Sequence, residues 1–345
     1  MSDRKLASIR RIKEIRPIEG ADRIVCAVVD GWELVTQKSN NFQPGDLVVY
    51  FEIDSLLPLT EQFSFLEPYK VSTRNSVNGE GYRLKTIKLR GQVSQGLILS
   101  IDTFPILNIL SSLPEGMDLT ETLDVKLYER PIPAQLRGKV RGNFPSFIPK
   151  TDQERIQNCF DDWFFNNKQA EYEVTLKLDG SSCTIYYDVD KDLFGVCSRN
   201  LDLTETGDNA YWLVARKYDL ENKLRDFGRN IAIQGELMGP GVQGNREKLP
   251  ELDLFVFDIY EWYSGQGKYF DAEVRQNVCK LLKLKHVPVI DIDVFSGFTS
   301  VKDFLKYAQR PSINNDVAEG VVFKNTQDPH NSFKVISNAF LLGEE

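Results

Sequence analysis

Short segments of alternating apolar and polar residues fill the first hundred residues of this 345-residue chain. Alternation of this kind predicts β-strands. The segments are ASIRRIKEIRPI, RIVCAVVDGWELV, DLVVYFEI, RLKTIKLRG and QGLILSI. Turn-forming pairs such as Asp30-Gly31 and Pro44-Gly45 separate or interrupt them. About five short strands in about 100 residues favour a small β-barrel over a helical or doubly wound fold.

A barrel of this size is either an OB-fold or an SH3-like barrel, and the strand pattern alone does not separate the two. The OB-fold is the five-stranded version that binds oligonucleotides. Arg83, Lys85, Lys88 and Arg90 alternate in one segment, and a basic stripe suits contact with a polynucleotide backbone. We therefore predict a small nucleic-acid-binding β-barrel over residues 1–125, of either type.

The charge distribution divides the chain into two parts. The formal net charge is −8, yet residues 1–150 hold 20 basic and 18 acidic side chains, whereas residues 151–345 hold 22 and 32. An acidic total does not exclude binding to a polyanion, because basic groups can be collected on one face. The two parts are expected to have different roles.

Several functional classes are excluded by composition. No run approaches the ~18 apolar residues that span a bilayer, and the N-terminus has no apolar signal core. The five cysteines are scattered without a CxxC pair, which argues against a disulfide framework and a zinc site. We predict a monomer in a reducing intracellular compartment, cytoplasmic by default. With only two histidines, any chemistry must depend on Lys, Arg, Asp and Glu.

Residues 126–150 are predicted to be a basic linker rich in proline and glycine. Its last 21 residues include four prolines and no acidic residue. Either they form a solvated extended linker, or they lie along a phosphate backbone. Five basic residues support the second alternative: Arg130, Arg137, Lys139, Arg141 and Lys150.

From residue 151 the pattern changes to α+β. Thr151 followed by Glu154 predicts a capping box at a helix start. Residues 210–227 predict a helix with Trp212, Ala215 and Leu220 on its inner side. Strand-type segments precede and follow it, so we predict an antiparallel-sheet domain with flanking helices over residues 151–345.

The motif with the most chemical content is Lys177-Leu178-Asp179-Gly180 at the end of a predicted strand. Alone, it is typical of a surface turn. Other polar motifs, however, also lie on or beside predicted strands, in an order that could line one cleft. They are Ser198-Arg199, Gly235-Glu236, Phe257-Asp258, Glu319-Gly320, Lys324 and Ser332-Phe333-Lys334.

With these motifs, residues 151–345 resemble a covalent nucleotidyltransferase, the superfamily of ATP-dependent polynucleotide ligases and mRNA capping enzymes. With its N-terminal barrel, the chain is most similar to RNA ligases of the Deinococcus/Naegleria type, which implies that residues 1–125 form an OB-fold nucleic-acid-binding domain. The resemblance covers essentially the whole chain. Two departures stand out: many related ligases have Lys at the position of Ser332, and the 11 residues after Lys334 leave no room for a further OB domain.

The resemblance implies roles for individual residues. Lys177 would be the nucleophile, and Lys334 would act with it in catalysis. Asp179, Glu236 and Glu319 would hold Mg²⁺ or Mn²⁺ largely through water, with two ions in the first step. The residues implied in ATP binding are Leu176, Lys177, Ser182, Arg199, Phe257, Lys324 and Lys334, with Arg155 at the pyrophosphate end.

The chemistry of a lysine nucleophile agrees with this assignment. Lysine must be neutral to attack phosphorus, and holding it so at pH 7 costs about 4.6 kcal/mol, since its reference pKa is about 10.4. Three nearby carboxylates would favour the ammonium form instead. A divalent cation among the carboxylates removes the conflict, because its charge dominates the local field.

The function expected is ATP-dependent RNA ligation of 3′-OH and 5′-phosphate ends through lysyl-AMP and adenylylated RNA, with nicked duplex as the substrate. A DNA ligase or a GTP-using capping-type enzyme is the enzymatic alternative. An OB-fold RNA-binding protein with an inactive transferase domain is the other alternative. The presence of all five catalytic candidates argues against the inactive form.

Overall fold

The computed structural model describes residues 4–110, 112–129, 131, 139–263 and 266–343. The chain divides into two compact units with their boundary at residue 132. Within the described ranges, none of the helices has the length and apolar character needed to cross a membrane.

The N-terminal unit is built from short strands. They are β1 (Ala7–Pro17), β2 (Ile24–Val29), β3 (Trp32–Gln37), β4 (Leu47–Phe51), β5 (Ser55–Leu57), β6 (Lys70–Val71), β7 (Gly81–Arg83), β8 (Ile87–Leu89), β9 (Gln92–Ser94), β10 (Leu97–Leu99) and β11 (Lys126–Leu127). Five of them form an antiparallel sheet in the order β10-β4-β1-β2-β3, and its two edge strands contact each other. A smaller sheet has the order β11-β5-β7-β6, and β8 and β9 form a two-stranded sheet.

Side-chain alternation explains this curved sheet. Along β4, Val49 and Phe51 pack into one apolar cluster with Ile9 of β1, whereas Val48 and Tyr50, which point to the other face, pack into a second cluster with Ile12. The predicted strand over residues 23–35 is two strands joined by a turn at Asp30, whose φ of 50° is left-handed. The predicted strand over residues 83–91 is also wrong as a single element, because β7 ends before β8 begins.

The C-terminal unit contains the remaining elements. Its strands are β12 (Val140–Asn143), β13 (Glu154–Arg155), β14 (Glu171–Lys177), β15 (Ser181–Asp188), β16 (Leu193–Cys197), β17 (Leu201–Leu203), β18 (Ile231–Met238), β19 (Asp253–Tyr263), β20 (Gln266–Tyr269), β21 (Lys285–His286), β22 (Val289–Val294), β23 (Gly320–Asn325) and β24 (Ser332–Ile336). Its helices are α1 (Ile156–Asp162), α2 (Ala210–Lys217), α3 (Leu220–Phe227), α4 (Ala272–Leu282), α5 (Val301–Tyr307) and α6 (Asn338–Gly343).

Two sheets organise this unit. The larger has the order β12-β17-β16-β15-β18-β19-β20, with β21 added alongside β19, and the smaller has the order β13-β24-β23-β14-β22. Pairing is antiparallel except for β13 with β24 and β19 with β21. The chain crosses from the smaller sheet to the larger at residues 178–180, between β14 and β15. The Lys177 motif lies at this crossing.

Two helix predictions need correction. The capping box at Thr151 is wrong, because residues 154–155 form β13 and α1 begins only at Ile156. The single helix over residues 210–227 is wrong as well, because Asp219 has a left-handed φ of 52° that separates α2 from α3. The predicted inner side of this region is confirmed, since Trp212, Ala215 and Leu220 are buried.

The predicted linker over residues 126–150 contains two strands, β11 at its start and β12 further along. Three of its predicted basic residues contact polar groups of the C-terminal unit. Lys139 Nζ lies 2.6 Å from Asp208, Arg141 binds both carboxylate oxygens of Asp202, and Lys150 donates to Asn200. These contacts argue against a free basic strap at those positions. Arg130 and Arg137 lie outside the described residues.

Candidate active site

Lys177 is the last residue of β14 and lies opposite Gly320 on β23. Its Nζ donates to Glu319 Oε2 at 2.6 Å. A Cβ atom at position 320 would lie 2.0 Å from the Val335 carbonyl oxygen, so only glycine fits beside Glu319. The neighbouring strand therefore presents the Glu319 carboxylate directly to the lysine.

Glu236 reaches the same place from the other sheet. It lies on β18, and the Gly180 N–H donates to its Oε1 at 3.0 Å. A Cβ atom at position 180 would lie 2.5 Å from the Leu237 carbonyl oxygen, because the crossing segment packs closely against β18. Asp179 lies in that segment and interacts electrostatically with Lys177 and Glu236.

The close packing of these side chains perturbs the protonation of Lys177 and of Glu236. Burial favours neutral Lys177, but the carboxylates of Glu319, Glu236 and Asp179 outweigh it and raise the pKa of Lys177 above its ordinary value. Burial, with the negative charges of Glu319 and Asp179, raises the pKa of Glu236 to about 8. Without further positive charge, the site holds a protonated lysine, which cannot act as a nucleophile.

A divalent cation suits this set of donors. Carboxylate oxygens are ligands that Mg²⁺ and Mn²⁺ accept, and a cation would offset the repulsion that raises the pKa of Glu236. Across the part of the chain that the structure describes, no three His, Cys, Asp or Glu residues are grouped closely enough to hold a metal directly. Metal binding by Asp179, Glu236 and Glu319, largely through water, stays a prediction.

We expect Glu236→Gln to raise the melting temperature of the metal-free protein at pH 8.5 more than at pH 5.5. The raised pKa means that folding favours the protonated carboxyl, so wild-type stability falls as the pH rises from about 4.5 toward about 8. Glutamine has no such charge, and its amide oxygen can still accept from Gly180. Scanning calorimetry in EDTA measures the difference.

Glu273→Gln, an exposed position on α4, is the matched control and should give the same small change at both pH values. An equal effect of Glu236→Gln at the two pH values would contradict the expected burial of charge at this position.

The implied adenine-binding residues border an apolar cluster beside the lysine. Leu176, Leu178 and Phe255 are buried in it, and Phe257 packs against it partly exposed. Phe257 is the extra residue of a β-bulge, because Gln234 pairs with Asp258 while Gly235 pairs with Val256. Bulges are common beside active sites, and here both Phe255 and Phe257 of β19 reach the same cluster.

A second group of predicted residues surrounds Asp152. Arg199 donates to both of its carboxylate oxygens, at 2.9 and 2.7 Å, and Lys334 Nζ lies 3.9 Å from Oδ1. Arg155 pairs with Lys334 in the β13–β24 register. Ser182 Oγ lies 3.2 Å from the hydroxyl of Thr151. The structure thus brings Ser182, Arg199 and Lys334 next to residues 151–155, the segment that ends in Arg155.

The side chain of Lys324 is buried. It is 4% exposed, and its Nζ contacts Asp258 and donates to the Phe257 carbonyl at 2.6 Å. Burial lowers the pKa of Lys324 in spite of Asp258. This ion pair connects β23 of the smaller sheet with β19 of the larger one, whereas a phosphate contact by Lys324 stays a prediction.

A buried charge network joins α4 to β14 and β21. Arg275 on α4 contacts Glu173 of β14, and each side chain is 1% exposed. Arg275 Nε donates to His286 Nε2 at 2.9 Å, so this nitrogen is the acceptor and Nδ1 donates to the Val287 carbonyl. Burial and Arg275 lower the pKa of His286. The network fixes α4 against the strand that ends in Lys177.

Sequence reasoning missed two residues of the site, Thr151 and Asp152. The sequence pattern assigns both to the start of a helix, whereas the parallel β13–β24 pairing brings them beside Lys334. The polar run that follows Lys150 gives no pattern that distinguishes a helix cap from a binding loop.

Comparison with known proteins agrees with this geometry. A model of an OB-fold domain matches residues 6–101, and an RNA ligase family model matches residues 170–336. No curated protein matches the sequence. The OB-fold predicted for the N-terminal part is thereby confirmed, as is the α+β sheet domain that follows it.

Solved structures of Naegleria gruberi RNA ligase are similar over nearly the whole chain. A variant of that enzyme with AMP and Mn is 43% identical, with a TM-score of 0.89 and coverage of 98% of each chain. The form with PPi is also 43% identical, with a TM-score of 0.88 and coverage of 98% of each chain. Another variant, with ATP and Mn, is 42% identical, with a TM-score of 0.88 and coverage of 97% of this chain and 98% of that one. Identity at this level over this length, together with the carboxylate-bound lysine between two sheets, shows that the chain belongs to the RNA ligase family.

Proposed function

We propose that the protein is an ATP-dependent RNA ligase that joins a 3′-OH end to a 5′-phosphate end, with nicked duplex as its substrate. The observation that carries the proposal is the position of Lys177 Nζ, 2.6 Å from Glu319, with Glu236 and Asp179 close enough to perturb its pKa. The similar Naegleria enzyme, solved with ATP, AMP, Mn and PPi, supports ATP and a divalent metal as the cofactors.

The first step is attack by the neutral Lys177 Nζ on the α-phosphorus of ATP. The new N–P bond replaces the bond to the bridging oxygen, pyrophosphate leaves, and the nitrogen loses its remaining extra proton. A divalent cation, when bound, supplies positive charge that lowers the lysine pKa and stabilises the charge on phosphorus. Asp179, Glu236 and Glu319 would hold it.

Two further phosphoryl transfers complete the reaction. An oxygen of the RNA 5′-phosphate attacks the lysine-bound phosphorus, which breaks the N–P bond and restores Lys177. The 3′-hydroxyl oxygen then attacks the activated 5′-phosphate, its proton is lost, and AMP leaves. Each transfer needs positioning and charge neutralisation more than acid–base chemistry.

The other site residues have matching roles in the proposal. Phe257 and Leu176 would contact the adenine from the apolar cluster, and Ser182 and Arg199 would hold the ribose and phosphate. Lys334 and Arg155 would face the phosphates, Arg155 at the pyrophosphate end. We also propose a monomer in a reducing, cytoplasmic setting, which suits five free cysteines, four of them buried.

The test is incubation with α-labelled ATP or GTP and Mg²⁺, followed by nicked substrates with RNA or DNA on either side. We expect covalent label from ATP alone and sealing of nicks that carry an RNA 3′-OH. Label from GTP would favour the capping-type alternative, and equal sealing of all-DNA nicks would favour the DNA ligase. Folded protein that takes no label would overturn the proposal in favour of an inactive RNA-binding protein.

Asp152 leads to a separate prediction. Its carboxylate binds the cations that the proposal assigns to phosphate, so a phosphate group must displace it. We expect Asp152→Asn to lower the KM for ATP by roughly twofold to fivefold, because exposed ion pairs are worth up to about 1 kcal/mol. Steady-state lysine labelling at varied ATP measures it.

Asp208→Asn, which removes the exposed partner of Lys139, is the matched control and should leave the KM unchanged. A KM that rises in Asp152→Asn would show that Asp152 assists binding of the nucleotide, contrary to this prediction.

A further inference from the structure

The β8–β9 hairpin of the N-terminal unit carries exposed positive charge. It forms a two-stranded sheet of its own. Lys88 and Arg90 on the hairpin and Lys85 just before it are exposed. Among the residues that the structure describes, none of these three side chains has an ion pair or hydrogen bond.

Several other cations of this unit are neutralised by their neighbours. Arg83, which the sequence placed in the same stripe, lies over the Tyr128 ring at 3.9 Å and 3.5 Å from Asp54. Further ion pairs join Arg4 to Glu52, Arg11 to Glu115, Arg16 to Glu33, Lys70 to Glu67 and Lys126 to Asp124. The hairpin is therefore a place where positive charge is left available to an outside anion.

The turn at the tip of the hairpin supports this interpretation. Arg90 and Gly91 connect β8 to β9, with φ angles of 48° and 82°. A two-residue turn with both φ angles positive favours Asn-Gly, since asparagine tolerates the left-handed conformation better than longer side chains do. Arginine at this position keeps a charge at the tip at a conformational cost.

We infer that the β8–β9 hairpin binds the sugar-phosphate backbone of RNA through Lys88 and Arg90, with Lys85 beside them. Three unpaired cations on one short element match a row of phosphates, and such contacts position a polynucleotide without reading its sequence. The identity of the polyanion as RNA rests on the proposed function. The binding surface itself rests on the exposure and charge of the hairpin.

The turn geometry provides a clean variant. Lys88→Gln combined with Arg90→Asn removes two charges, and asparagine suits the left-handed turn at least as well as arginine. By fluorescence anisotropy with a labelled nicked RNA duplex, we expect roughly tenfold weaker binding at about 0.1 M salt. The slope of log K against log salt concentration should fall by about two, one for each lost phosphate contact.

Lys70→Gln combined with Lys126→Gln is the control. It removes the same amount of charge from ion-paired positions on the β11-β5-β7-β6 sheet. It should bind RNA like the wild type. The inference is overturned if the hairpin variant binds RNA with the same affinity and the same salt slope as the control. A hairpin that binds a protein instead of RNA would give this result.

Lysine labelling with ATP alone is measured on all three proteins, because this step needs no RNA. A wild type that binds RNA through the hairpin but takes no label would sink the proposed function and leave the hairpin inference intact. If the wild type takes label but the hairpin variant binds RNA as well as the wild type does, the hairpin inference fails and the proposed function stands.

Discussion

Lys177→Ala is expected to form no covalent adenylate and to seal RNA ends more than about a thousandfold more slowly than the wild type. The substitution removes the only nitrogen that lies at hydrogen-bond distance from Glu319 among the described side chains. Denaturing electrophoresis after incubation with α-labelled ATP and Mg²⁺ measures the first loss, and sealing of a nicked duplex measures the second.

Two control experiments separate loss of the nucleophile from loss of the fold. Lys177→Arg keeps a positive charge beside Glu319, but a guanidinium stays protonated and does not attack phosphorus, so this variant should also take no label. Lys177→Ala supplied with RNA already adenylylated on its 5′-phosphate should still join ends, because the last step does not use the lysine. Label on either variant would show that another residue is the nucleophile.

Arg275→Met is expected to lower the free energy of unfolding by about 3–5 kcal/mol. Arg275 and Glu173 are each 1% exposed, so removing the guanidinium leaves a carboxylate buried without its opposite charge. Because natural domains are stable by only about 5–15 kcal/mol, a large part of the folded margin would be lost. Urea unfolding followed by far-ultraviolet circular dichroism measures it.

The double variant Arg275→Met with Glu173→Leu should regain much of that stability, because two apolar side chains replace both charges. Arg225→Met serves as the surface control: its ion pairs with Asp192 and Glu221 are partly exposed, and a change within about 1 kcal/mol is expected. A loss in Arg275→Met no larger than in Arg225→Met would contradict the buried network.

The strands that carry the site could be predicted from the sequence because their signals are local. EYEVTLK and GVVFKN both have strand-type patterns, and β14 and β23 form where they are expected. The resemblance to covalent nucleotidyltransferases implies that Lys177, Asp179, Glu236 and Glu319 lie together, and in the structure the three carboxylates are close enough to act on the pKa of Lys177.

Other features depend on contacts between distant residues, which no local pattern contains. The bulge at Phe257 arises from its pairing with β18. Glu154 reads as a helix-capping residue, yet pairing with Phe333 makes it part of a strand. Lys324 alternates with apolar residues, a pattern that fits a solvent-facing residue as well as a site residue. It is buried because β19 places Asp258 against its side chain. In each case tertiary contacts override a local preference.

The pairing of β23 and β24 with strands that come much earlier in the chain has a consequence during synthesis. Lys177 precedes Glu319 by 142 residues, which at ribosomal rates corresponds to roughly 10 to 30 s. During that interval a nascent chain displays the proposed nucleophile without Glu319, and β13 has no β24 to pair with. Reaction with ATP is therefore expected only after the closing strands have left the ribosome, so that unfinished chains consume none.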